Sequence, residues 1–121
     1  MKEVERLSVV VVASGETRET ARDILEGAAY HVGEAADLAA AEELLPKLEA
    51  PALLLVDEAN QTTLCRFIAT LQRLRPADAH LLPVVLMASS TVTLAGVREV
   101  VAKPLDASLL VEVVQRLLEG L

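Results

Sequence analysis

Aromatic side chains are almost missing from this chain: its 121 residues include one Tyr, one Phe and no Trp. Bases and sugars therefore find few stacking surfaces, and a net charge of -7 repels phosphate backbones, so nucleic acid is not expected as a direct partner. Cys65 is the single cysteine and cannot close an internal disulfide. With His31 and His80 the only histidines, no zinc-ligand spacing exists, and all three read as packing or surface residues. Apolar runs fall far short of the ~20 residues that cross a bilayer, and no N-terminal stretch joins a basic flank to an apolar segment and a cleavage site. A soluble cytoplasmic protein with no membrane partner is the expectation. Repeats, linkers and low-complexity tracts are also lacking, which leaves one domain over residues 1–121.

What the chain does have is aliphatic residues, 53% hydrophobic overall, arranged in a period that switches repeatedly between strand and helix. That alternation predicts an α/β fold. Val9–Val12 is a continuous β-branched run, as a strand buried on both faces requires. Ala21, Ile24, Leu25 and Ala28 follow at helical spacing, with Ser14 or Thr17 as N-cap and Gly27 as stop. Residues 30–36 read as a second strand. Asp37 caps a helix striped by Leu38, Ala41, Leu44, Leu45 and Leu48, which Pro46 should kink or end. Residues 52–56 form the third strand, and Leu64, Phe67, Ile68, Leu71 and Leu74 a third helix closed by Pro76. The fourth and fifth strands span residues 83–88 and 97–102. A final helix runs from Asp106 through Leu109, Leu110, Val113, Val114, Leu117 and Leu118. One connection is too short: only residues 89–96 separate the last two strands, whereas a helical crossover needs at least ~10 residues. The helix expected there is absent or reduced to about one turn.

Two residues carry the chemistry. Asp57 closes the apolar run of the third strand, in PALLLVDE, and Lys103 follows the fifth strand, in VVAKPLD. In a parallel α/β sheet, ligands bind beyond the carboxyl ends of the strands, so a carboxylate and an ammonium at two such ends can converge. No Ser-His-Asp or Cys-His set accompanies them, and neither a GxGxxG nor a Walker loop is present. The chain is not expected to be an enzyme.

Together these segments, over nearly the whole chain, resemble the receiver domains of two-component response regulators, relatives of the chemotaxis regulator. The resemblance implies a doubly wound, flavodoxin-like, five-stranded parallel sheet in the order 2-1-3-4-5. It places the phosphoacceptor aspartate on Asp57 and the phosphate-contacting lysine on Lys103, followed by Pro104. GAAYHVGEAAD matches the second-strand region. The departures matter as much. Where the family has an acidic pair that holds magnesium, this chain has Ala13 and Ser14; a hard dication is left with Asp57, waters and the backbone of Ala59, unless Glu16 is recruited. The switch hydroxyl aligns with Ala88, with Ser89 adjacent, and the switch aromatic with Val100.

Three readings follow. The favoured one is a degenerate receiver that needs no cofactor and acts in bacterial signalling as a phosphorylation-independent interaction module, with Asp57 and Lys103 as a static ion pair. Its partner, or a second copy, would use the face of the fourth strand, fifth strand and last helix, with Val92, Leu94 and Val97 contributing. The alternative is a true receiver, phosphorylated on Asp57 by a histidine kinase with magnesium. A lower-ranked one is a small-anion site near Ser14 and Lys103.

Overall fold

A computed structural model describes residues 8–57, 60–90 and 94–121. Five parallel strands, β1 (Val9–Val12), β2 (Val32–Ala35), β3 (Leu53–Asp57), β4 (Val84–Ala88) and β5 (Val97–Ala102), form one sheet in the order β2-β1-β3-β4-β5. Four α-helices accompany them among the described residues: α1 (Gly15–Gly27), α2 (Leu38–Leu44), α3 (Gln61–Leu74) and α4 (Ala107–Glu119). The expected sheet order and helix-poor last crossover are both present. Between β4 and β5 the described residues form only bends and a turn, and Val92 lies outside them, as does Ala59.

The strands alternate their side chains between two cores, one on each face. Val10, Leu54, Val56, Val84 and Leu86 meet α2 and α3, while Val9, Leu53, Leu55, Val85 and Met87 meet the side of α1 and α4. Burial on both faces explains why β1, β3 and β4 are uniformly apolar in sequence. The second strand is shorter than its predicted span, starting at Val32, and Tyr30 instead packs beside the α4 core.

Local chemistry sets the helix ends. Asp37 Oδ1 accepts from the Ala40 N–H at 2.8 Å and Asp106 Oδ1 from that of Leu109 at 2.9 Å, the expected caps. Ser14 occupies the α1 cap position but its side chain makes no capping bond. Asn60, which no sequence pattern singled out, caps α3 through the Thr62 and Thr63 N–H groups. Pro46 ends α2 as predicted, and a single 3-10 turn, Leu45–Lys47, follows.

Two long-range contacts hold α3. Arg75, just after α3, donates from Nη1 to the Leu45 and Leu48 carbonyls at 2.6 and 2.7 Å and grips both oxygens of Asp78 at 2.9 and 2.6 Å. Gly96, with φ +89°, lies against α3 so closely that a Cβ there would sit 2.7 Å from Ile68 Cγ2. Where a covering helix is expected, the turn before β5 packs directly on α3. β4 is buried along its whole length.

Candidate functional site

The parallel register decides what meets at the carboxyl edge. Val12 of β1 pairs with Val56 of β3, so Ala13 and Asp57 emerge side by side; Asp57 pairs with Met87, which pairs with Val101. Lys103, two residues beyond Val101 and on the same side of the sheet, is held by its N–H donating to the Ala88 carbonyl at 2.9 Å. Its ammonium reaches across to Asp57, Nζ to Oδ1, at 2.6 Å. Both side chains are about three-quarters covered, with 21% and 27% of their surface exposed. The convergence expected of the two strand ends is thus present as a charge-assisted hydrogen bond.

This pair separates two hollows. One, about 410 Å³, is lined by Ala13, Ser14, Asp37, Asp57 and Thr63. The other, about 320 Å³, is lined by Glu16, Thr17, Thr20, Lys103 and Leu105. Asp37 and Thr63 went unnoticed in sequence as lining residues, although Asp37 sits just past a strand next to the topological switch point, which is the signal that places ligands. Glu16 and Asp57 line different hollows, and Glu16 shares its own with Lys103. Ser14 and Lys103 are also divided, and Ser14 shares its hollow with two carboxylates; this is a poor setting for an anion.

Ala13 and Ala88 are buried, at 4% and 1% exposure, and offer only methyl groups. Val100 packs half-buried on the α2 and α3 core, together with Leu94 and Val97. Ser89 is exposed just beyond β4.

The described residues do not fit a magnesium site. The dication needs about six oxygens in near-octahedral order, with carboxylates among them. Asp57 is bonded to Lys103, Asp37 Oδ1 to the Ala40 N–H, and no group of three or more His, Cys, Asp or Glu side chains among the described residues is placed to hold an ion.

The ion pair makes a stability prediction. Lys103→Ala strands a mostly covered carboxylate, whereas Asp57→Asn leaves a neutral amide that still accepts a hydrogen bond. Chemical denaturation is expected to rank Lys103→Ala as the more costly, by about 1 to 2 kcal/mol. The reverse order would break the assignment of the pair as a mutual support.

No protein-family model and no curated protein sequence matches the chain. Solved structures do. The chemotaxis protein CheY4 of Vibrio cholerae superposes with a TM-score of 0.78 at 20% identity, over 93% of this chain and 99% of that one. FixJ-N gives a TM-score of 0.77 at 17% identity, over 98% of each chain. A receiver domain of a sensor histidine kinase from Pseudomonas aeruginosa PAO1, solved with magnesium coordinated in its active-site cleft, gives 0.73 at 17% identity, over 95% and 99%. The fold is that of response-regulator receiver domains. Among the described residues, no helix is long and apolar enough to cross a membrane.

Proposed function

We propose that this chain is a degenerate receiver: a protein-interaction module of two-component type whose output does not depend on phosphorylating Asp57. The observation that carries this reading is the Lys103–Asp57 bond at 2.6 Å beside Ala13 and Ser14, which supply no carboxylate. Aspartyl phosphorylation needs a cation to neutralise the incoming phosphoryl charge and to hold the nucleophile in line. Here the nearest positive charge is an ammonium already committed to the nucleophile. Transmission lacks its parts as well, with Ala88 and Val100 at the switch positions and no helix described between β4 and β5. The protein works without a bound cofactor, in the cytoplasm, and not as an enzyme.

Titration calorimetry with magnesium and beryllofluoride tests this. No binding is expected for the natural sequence, and Ala13→Asp with Ser14→Asp is expected to create a site, because two carboxylates then flank Asp57. Tight binding by the unaltered protein would establish the second reading, a receiver phosphorylated by a histidine kinase. That reading draws on one specific feature, the retained Asp57 with 27% of its side chain open to solvent.

The partner, or a second copy, engages the face of β4, β5 and α4. β5 is the edge of the sheet, and Leu109 on the adjoining flank of α4 is 43% exposed, one of two exposed large apolar residues among those described. Leu94 and Val97 contribute from the other side but also pack on the core, so Leu109 is the cleaner probe. Leu109→Glu is expected to weaken association at least about tenfold, a change of ~1.4 kcal/mol, while Asp57→Ala leaves it intact. Sedimentation of the chain over a range of concentrations reads the difference for a second copy, and the opposite pattern would move the functional surface to the Asp57 end.

A further inference from the structure

We infer that the furrow between α1 and α4, on the flank of α4 away from β5, is a docking site for a basic amphipathic helix of a partner protein. Two hollows of about 660 and 440 Å³ share Ala28, Val111 and Gln115 and so form one continuous furrow. Its floor is apolar where Ile24, Val111 and Leu118 stay half-buried. Gly27, Ala28 and Ala107 are too small to fill the space between the helices, which lets another backbone approach.

Charge selects the occupant. Asp23, Glu112 and Glu119 border the furrow, and among the described residues no Lys or Arg lines it. The cations nearest on these helices are already paired, Arg22 in part with Asp23 of the rim itself. Arg22 is shared among Asp23, Glu26 and Glu34, and Arg116 is bonded to Glu99 on β5. A second copy laying this same furrow against it would bring the same acidic rim and be repelled here. Anionic lipid and nucleic acid are disfavoured for the same reason. A helix with aliphatic residues at i, i+3 or i+4 and i+7, and Lys or Arg on its flanks, satisfies both floor and rim. The thirteen residues of α4 run ~20 Å, room for about three to four turns of a helix laid alongside.

Tyr30 supplies a reporter. It lines one end of the furrow beside Glu119, and in a chain with no Trp and no other Tyr its emission comes from this place alone. The probe is a synthetic helix of about 14 residues with Leu at helical spacing and Lys elsewhere, free of Tyr and Trp, and its counterpart with Glu for Lys. The Lys peptide is expected to bind at tens of micromolar and to change Tyr30 emission, and the Glu peptide to do neither. Val111→Lys in the floor and Ser108→Lys at the exposed edge should each weaken binding at least about tenfold, or ~1.4 kcal/mol. Leu74→Lys makes the same charge change on α3, across the sheet, and should cost less than about twofold. Ser108 is exposed, so that variant keeps its fold whatever happens at Val111. Absence of binding, binding with Tyr30 emission unmoved, or equal weakening by all three lysines would each overturn the proposal, the last by reducing it to diffuse charge attraction.

Discussion

Replacing Arg75 with alanine is expected to lower the free energy of unfolding by about 3 kcal/mol, roughly 10 °C in Tm for a domain of this size. One guanidinium makes four hydrogen bonds here, two of them to the carbonyls of Leu45 and Leu48, whose side chains are buried. Removing it leaves those carbonyls at the end of α2 without these donors, and an unsatisfied buried acceptor costs about 1 to 3 kcal/mol. Lysine cannot stand in, because a single ammonium cannot span two carbonyls and a bidentate carboxylate; Arg75→Lys should recover less than half of the loss. The variant also changes the response to acid. The Arg75 hydrogen bond holds the Asp78 carboxyl below the usual carboxylate range. A carboxyl depressed in the folded state adds stability above its unfolded pKa, near 4, and loses it as pH falls through the lower folded value. Stability measured below about pH 4 should therefore fall less steeply in Arg75→Ala than in the natural chain, and an unchanged slope would refute the assignment.

The second large effect is expected at Gly96. Gly96→Ala puts a Cβ where φ is +89° and where Ile68 Cγ2 lies 2.7 Å away, against ~3.5 to 4.0 Å for an ordinary carbon contact. Strain of about 1 to 2 kcal/mol from the left-handed backbone and 1 to 3 from overpacking give a loss of about 3 kcal/mol. Gly15 is the control. It also has a positive φ, +59°, but nothing stands within 4 Å of its absent Cβ, so Gly15→Ala should cost only the backbone share, about 1 kcal/mol. Combining Gly96→Ala with Ile68→Ala isolates the contact: the double variant should be more stable than the sum of the two losses predicts by about 1 to 2 kcal/mol. Strict additivity would mean that the turn before β5 does not rest on α3.

These two sites differ from Asp57 and Lys103 in how far the chain alone reveals them. The ends of buried strands are marked in sequence by where a uniform apolar run stops, and parallel topology carries those ends to one edge. Asp57 and Lys103 were legible for that reason. Ala13, Ala88 and Val100 are different: only the resemblance to receiver domains implies that a carboxylate, a hydroxyl and an aromatic ring would be expected there. Asp37 announced itself only as a helix cap, because its place beside Asp57 depends on β2 lying next to β1. Glu16 is a similar case: as an acidic residue just past β1 it was open to reading, but the hollow it lines was not.

Sequence by itself determined the sheet. Continuous aliphatic runs forced strands buried on both faces, the spacing of their turns forced helices between them, and eight residues between β4 and β5 left no room for one more. Only the tertiary structure decided how α3 is held and what the helices present outward. Arg75 reaches carbonyls 27 and 30 residues away, and Gly96 meets Ile68 across a similar gap in the chain, so no local period encodes either. The furrow between α1 and α4 depends on packing in the same way. Periodicity reports which side of a helix faces the core, but the space left between two helices is set by the distance at which small residues such as Gly27, Ala28 and Ala107 let them stand, which is a property of the pair and not of either sequence.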